Sequence, residues 1–144
     1  MLGSDLTAPG PDAAEAGGGD RPRLYASRGR FRRYVRRAID SLPPRFRAAA
    51  DNVMVVVEQR PRRDDYAASP DLGRRPLFGI YRGVPLSERT TGYQLATPDV
   101  IAIFRRPLLR HCRRRRRLWE EIRRTVLHEF GHYLGLDEGA VEHL

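Results

Sequence analysis

The chain has 144 residues, of which 31% are charged and 40% are hydrophobic, so it is long enough for one small domain with a modest core. Its net charge of +9 comes from 27 basic residues, all of which are arginine. The single cysteine, Cys112, excludes an internal disulfide, and no apolar stretch approaches membrane-spanning length. The N-terminus also lacks the pattern of a secretory signal, so we expect a cytoplasmic protein that does not associate with membranes.

Residues 1–29 are predicted to form a disordered tail, and residues 30–144 one folded domain. Glycine, proline, alanine and aspartate dominate the start of the chain, and a triple glycine occupies positions 17–19. No apolar periodicity survives there, so this part of the chain has little surface to bury.

A first helix is predicted at 29–41, because apolar residues recur there at helical intervals. The prolines Pro43 and Pro44 follow and are expected to end the helix. The residues that carry the pattern are Phe31, Tyr34, Val35, Ala38, Ile39 and Leu42.

Three strands are predicted after this helix. The β-branched run at 52–58 is short enough for a buried strand, and residues 60–75 form a polar loop. A second strand is expected at 77–81, closed by a turn at 83–85, and a third at 99–104. Pro107 is then expected to precede a second long helix. Two helices and three short strands predict an α+β fold in which one small mixed sheet packs on helices.

The second helix carries the zinc-peptidase pattern H-E-x-x-H at residues 128–132. On a helix, His128 and His132 lie one turn apart and can present both imidazoles to one zinc ion. Glu129 lies close enough to deprotonate a water without being a ligand. The alternative is a solvated helix end with two stray histidines. An amphipathic stripe before the motif favours the zinc site: Leu118, Trp119, Ile122, Val126, Leu127, Phe130 and Leu134.

A third ligand is expected just beyond the motif helix. Gly135 suits the left-handed conformation that ends helices, and two carboxylates follow it, Asp137 and Glu138. The sequence then matches the longer pattern H-E-x-x-H-x-x-G-x-x-(H/D), with Glu138 at its last position. Three protein ligands and one open position are typical of a catalytic zinc. Glu138 is therefore predicted as the third ligand, and Asp137 remains the alternative.

Several segments in this order resemble the small bacterial zincin-like metallopeptidase family. The similarity covers roughly residues 30–144. It rests on the order of five segments: Leu-Pro at 42–43, Asn52 with the valine run after it, Leu-Phe-Gly-Ile-Tyr-Arg-Gly-Val-Pro-Leu at 77–86, Pro-Asp-Val-Ile at 98–101 and Thr-Val-Leu-His-Glu at 125–129. The resemblance implies a zincin-like α+β fold with zinc on the long C-terminal helix. Members of this family usually carry Asp at the position of Glu138.

These observations predict a zinc metallopeptidase that acts on a peptide or protein substrate, with Glu129 as the catalytic base. Tyr81 and Tyr93 are candidates to stabilise an oxyanion, although packing is the more common role of such tyrosines. One alternative is a non-catalytic zinc protein that uses the arginines at 113–117 to bind nucleic acid or an acidic protein. No recognised nucleic-acid motif accompanies these arginines, and a solvated helix start also explains them. Another alternative is a site that a partner must complete.

Overall fold

The computed structural model describes residues 24–89 and 99–142, with the side chains of Glu138 and Glu142 left outside that description. Helices surround a small sheet in these ranges. In chain order, the elements are α1 (Arg28–Asp40), α2 (Pro44–Ala50), β1 (Met54–Glu58), α3 (Arg63–Ala67), a 3₁₀ turn (Pro70–Leu72), β2 (Gly79–Arg82), a 3₁₀ turn (Leu86–Glu88), β3 (Val100–Phe104), α4 (Arg105–His111), α5 (Arg115–Tyr133) and α6 (Glu138–Glu142).

The three strands form one mixed sheet in the order β1-β3-β2. β3 lies in the centre, parallel to β1 and antiparallel to β2. Helices α1 and α5 cover one face of this sheet, since Ile101 and Ile103 of β3 belong to the same buried cluster as their apolar residues. The predicted α+β fold, with a small mixed sheet on helices, is confirmed.

The opposite face of the sheet is covered by the segment that connects β1 to β2. Ala102 and Phe104 point to this side and pack with Leu77, Ile80 and Leu72. Side chains alternate between the two faces along β3, as the pleat of a strand requires. Because β3 is buried on both faces, each of its large side chains contributes roughly 1.5–3 kcal/mol to folding.

Helix α1 confirms the first predicted helix within one residue at each end. Phe31, Val35 and Ala38 are buried at helical spacing, and Ser27 caps the start by accepting a hydrogen bond from the Arg30 backbone N–H at 3.1 Å. The prediction for the two prolines was incomplete. Pro44 begins α2, because its fixed φ suits the first position of a helix.

Three further predictions need correction. The strand predicted at 52–58 is not buried, since Met54 is 56% exposed and the rest of β1 is only partly covered. β1 pairs with β3 alone and therefore lies at the edge of the sheet. The loop predicted at 60–75 contains α3 and a 3₁₀ turn. Pro107 does not directly precede the long helix, because it lies in the first turn of α4.

Residues 24–29, the last part of the predicted tail, pack against the domain. The Leu24 backbone N–H donates to the carbonyl of Leu109 at 3.1 Å, Ala26 is fully buried, and α1 begins at Arg28. Residues 1–23 lie outside the described part of the chain, so disorder there stays a prediction. Over the described ranges, no helix combines the length and the apolar content needed to cross a membrane.

Candidate metal centre

Helix α5 holds the H-E-x-x-H residues on a platform fixed by the core. Leu118, Ile122, Val126 and Phe130 follow each other at intervals of four and are all fully buried. This continuous stripe confirms the predicted amphipathic helix. Since Phe130 lies between the two histidines of the motif, its burial fixes how that turn of the helix is rotated.

His128 and His132 lie one helical turn apart and face each other. Their Nε2 atoms are 2.9 Å apart, and the two rings meet edge to face with centroids at 4.5 Å. Both side chains are partly exposed, whereas Glu129 is only 6% exposed. Candidate ligand atoms of these three residues all lie within 4.8 Å of one another. The structure therefore brings together the three motif residues that the sequence predicted.

The chemistry of this group fits zinc. Two nitrogens that each lie about 2.0–2.1 Å from one ion must be within about 4 Å of each other, a condition that the two Nε2 atoms meet. Zinc requires both Nε2 atoms to be deprotonated, so both imidazoles would carry their proton on Nδ1. Binding of a metal would thus replace the direct contact between His128 and His132.

A Schellman turn ends the motif helix. The Leu136 backbone N–H donates to the Gly131 carbonyl at 3.0 Å, and the Gly135 backbone N–H donates to the His132 carbonyl at 2.9 Å. Gly135 has φ +81°, which confirms the predicted left-handed glycine. A Cβ at this position would collide with the Oγ of Ser87, so the turn is also pressed against the loop that follows β2.

The residues after this turn start a short helix. Asp137 Oδ1 accepts a hydrogen bond from the Ala140 backbone N–H at 2.7 Å and so caps α6, which begins at Glu138. The Glu138 side chain lies outside the described part of the chain. Glu138 as third ligand, with Asp137 as the alternative, therefore stays a prediction.

Strand β2 lies directly against the motif helix. A Cβ added to Gly79 would come within 2.7 Å of the Thr125 side chain, so only a glycine allows this approach. Two residues further along β2, the Tyr81 ring meets the Tyr133 ring edge to face at 5.6 Å. Thus β2 is the sheet edge nearest to the helix that carries the motif.

Tyr81 is held by a polar cluster that the sequence did not predict. Its hydroxyl lies 2.6 Å from Asp99 Oδ1 and 2.9 Å from the Val84 carbonyl. Arg89 forms an ion pair with the same Asp99 carboxylate, donates to the Val84 carbonyl at 3.0 Å and lies 5.5 Å from the centre of the Tyr133 ring. This arrangement favours the packing role of Tyr81. Tyr93 lies outside the described residues.

No sequence signal distinguishes this cluster beforehand. Arg89 is one of 27 arginines, and its partner Asp99 lies ten residues further along the chain. Only the three-dimensional structure shows what the cluster does. Its contacts hold the loop at 84–89 beside the end of α5, where Ser87 packs against Gly135.

A family profile described as zincin-like metallopeptidase matches residues 50–144, about two thirds of the chain. The matched region includes all three strands, the motif helix and the turn after it. No curated protein matches the chain.

Proposed function

The chain belongs to the zincin-like metallopeptidase family, and from this premise we propose that it hydrolyses peptide bonds in a zinc-dependent reaction. The observation that carries the proposal is the cluster of His128, Glu129 and His132 at the end of a buried helix. Two nitrogen ligands and one carboxylate base are three of the groups that metal-assisted hydrolysis uses, and a third protein ligand completes the set.

Each motif residue has one role in this proposal. His128 and His132 would hold zinc together with Glu138, which matches the family position where Asp is usual. Zinc bound there supplies the positive charge that lowers the pKa of water towards about 7. Glu129 accepts the proton of the water that attacks the scissile carbonyl and then gives it to the leaving amine. Its burial favours this role, because a base shielded from bulk solvent keeps its proton for the leaving group.

Strand β2 is our candidate for the substrate-binding edge. It lies at the end of the sheet order and contacts the motif helix through Gly79. An extended peptide could pair with such an edge through its main chain, which would make the substrate a flexible peptide or protein segment. We also propose a cytoplasmic location, since the lone Cys112 requires no oxidising compartment.

Zinc analysis and one carboxylate variant test the proposal. Protein purified without chelators should contain about one zinc per chain. Glu129→Ala should keep that zinc, yet hydrolyse a pool of unfolded peptides at least about 100-fold more slowly. Glu120→Ala is the matched control, because it removes an exposed carboxylate from the same helix nine residues earlier.

Two outcomes would contradict the proposal. Natively purified protein without zinc, and unable to take it up, would remove its basis. Hydrolysis that survives in Glu129→Ala at the rate of Glu120→Ala would show that Glu129 is not the base.

A further inference from the structure

Helix α1 presents a strongly basic outer surface. Six of its 13 residues are arginines and one, Asp40 at its last position, is acidic. Because Phe31, Val35 and Ala38 turn towards the core, five of the arginines are exposed. Arg36 forms no ion pair with any residue in the described ranges. The exposed arginines are Arg28, Arg32, Arg33, Arg36 and Arg37.

The first half of α5 extends this surface. The Tyr34 ring meets the Trp119 ring edge to face at 6.2 Å, and the Arg37 guanidinium lies 4.9 Å from the centre of the Trp119 ring. Arg116 and Arg123 are the i−3 and i+4 neighbours of Trp119 on α5, so they lie beside it. The arginines of the two helices therefore adjoin. We call this surface the arginine face: Arg33, Arg36, Arg37, Arg116 and Arg123.

The described carboxylates on α5 do not neutralise the arginine face. Glu120 pairs with Arg116 at 3.4 Å and is shared with Arg117 at 3.7 Å. Glu121 is buried and pairs with Arg117 and Arg124. Arg123 has no ion pair with a described residue. Arg36 and Arg123 therefore keep positive charges that no described carboxylate balances, and like charges on one surface repel each other unless anions approach.

On the opposite face of the sheet, an arginine is paired with carboxylates. There the Arg82 guanidinium lies between two carboxylates, with bonds of 2.8 and 2.9 Å to Glu58 and of 2.9 and 2.7 Å to Asp65. Both carboxyl groups have lowered pKa values: the hydrogen bond from Arg82 lowers that of Glu58, and for Asp65 the bonds from Arg82 and Arg62 overcome the effect of burial. Arg82 is thus neutralised by two carboxylates on this face, whereas α1 and the first half of α5 carry more arginines than carboxylates.

We propose that the arginine face binds double-stranded nucleic acid through its phosphates. A guanidinium matches a phosphate with two parallel hydrogen bonds, and a row of them releases counterions from a polyanion. Single-strand binders need exposed aromatic platforms, but Trp119 and Tyr34 are both partly buried, and the Trp119 ring contacts Tyr34 and Arg37. Insertion into a membrane needs exposed apolar residues, and the large ones among the described residues, Met54, Tyr66 and Leu86, lie outside both helices.

This surface is separate from the proposed zinc site. Arg116 precedes His132 by 16 residues on α5, an axial distance of about 24 Å, and Arg123 precedes His128 by five residues, about 7.5 Å along the axis and about 140° around the helix. The two surfaces can be occupied together, and the contacts on the arginine face involve phosphate only. The proposal therefore specifies binding that is independent of base sequence.

A salt titration with matched charge variants tests the proposal. Binding of a labelled 20-base-pair DNA duplex to the full chain is measured by fluorescence anisotropy between 50 and 200 mM salt. Over this range, a protein that makes about six phosphate contacts loses affinity on the order of 1,000-fold. R36Q/R123Q should reduce the slope of log affinity against log salt by about 2. R63Q/R74Q is the control, because it removes two exposed arginines without described ion pairs from the other side of the sheet.

The remaining outcomes each overturn the proposal. Equal losses in the two double variants would mean that only net charge matters. Tighter binding of a single strand of the same length, or binding of anionic vesicles without binding of the duplex, would assign the arginine face to another partner. Circular dichroism of R36Q/R123Q, expected to match wild type, excludes unfolding as the cause of a loss.

Discussion

The two ends of helix α5 carry opposite kinds of polar surface. At the C-terminal end, each described polar group of the motif has a defined partner or is buried: His128 contacts His132, Glu129 is buried, and the Schellman turn satisfies the last carbonyls. At the N-terminal end, Arg114 provides no side-chain cap and the first turn has no acid. Arginines there oppose the helix dipole. Burial against the core, rather than charge, therefore gives the metal end its fixed geometry.

The largest expected effect is the loss of zinc affinity when the predicted third ligand at the C-terminal end of α5 is replaced. Glu138→Gln should weaken zinc binding by more than the roughly 100-fold that loss of an outer-shell partner costs. Asp137→Asn is the matched amide variant, and it should keep zinc affinity within a few-fold. Its amide oxygen can still accept the hydrogen bond from Ala140 that caps α6. Competition with a chelator measures both affinities.

The reverse result would assign the ligand to Asp137. In that case the aspartate would have to leave its capping position when zinc binds, and α6 would lose its first hydrogen bond. Unchanged affinity in both variants would place the third ligand elsewhere in the chain.

A pair of glycine substitutions tests whether the metal end is the rigid one. Gly135→Ala should lower the free energy of unfolding by at least about 2 kcal/mol, because φ +81° strains an alanine and the new methyl group collides with Ser87. Gly29→Ala is the control in α1: its Cβ meets nothing within 4 Å, and alanine is the better helix former. We expect it to stabilise the protein by up to about 1 kcal/mol. Urea unfolding compares the two, and equal effects would contradict the assigned rigidity.

The long elements could be predicted because their patterns repeat. Four buried residues at spacing four define α5, and three at helical spacing define α1. Helices of five or seven residues, such as α3 and α2, are too short for a period to repeat, and packing decides them. The exposure of β1 also could not be predicted, because a valine run has the same sequence at the edge of a sheet as in its centre.

The metal site also has a part that could be predicted from the sequence and a part that could not. His128, Glu129 and His132 are local in sequence, so their geometry follows from the helix itself. The loop that presses Ser87 against Gly135 depends on Arg89 and Asp99, which meet only after β2 and β3 pair. Contacts of this kind arise from tertiary structure and leave no periodic signal.

The smallest expected effect concerns Cys112 and shows whether the arginines at the N-terminal end of α5 influence a buried group. Cys112 is fully buried just before that end. Burial, together with the nearby Glu121 carboxylate and against the effect of Arg117, raises the pKa of its thiol from 9.0 to about 11. The folded chain thus keeps the thiol protonated, and the unfolded chain ionises first as the pH rises. Below pH 9 the stability from this group is complete, and it is lost as the pH rises towards 11.

Relative to Cys112→Ala, wild type should lose about 1 kcal/mol of unfolding free energy between about pH 8 and 10. Urea unfolding of the two proteins at each pH measures this difference. A difference that stays constant, or grows in favour of wild type, would mean that the nearby arginines stabilise the thiolate and that the two ends of α5 are less distinct than their contacts indicate.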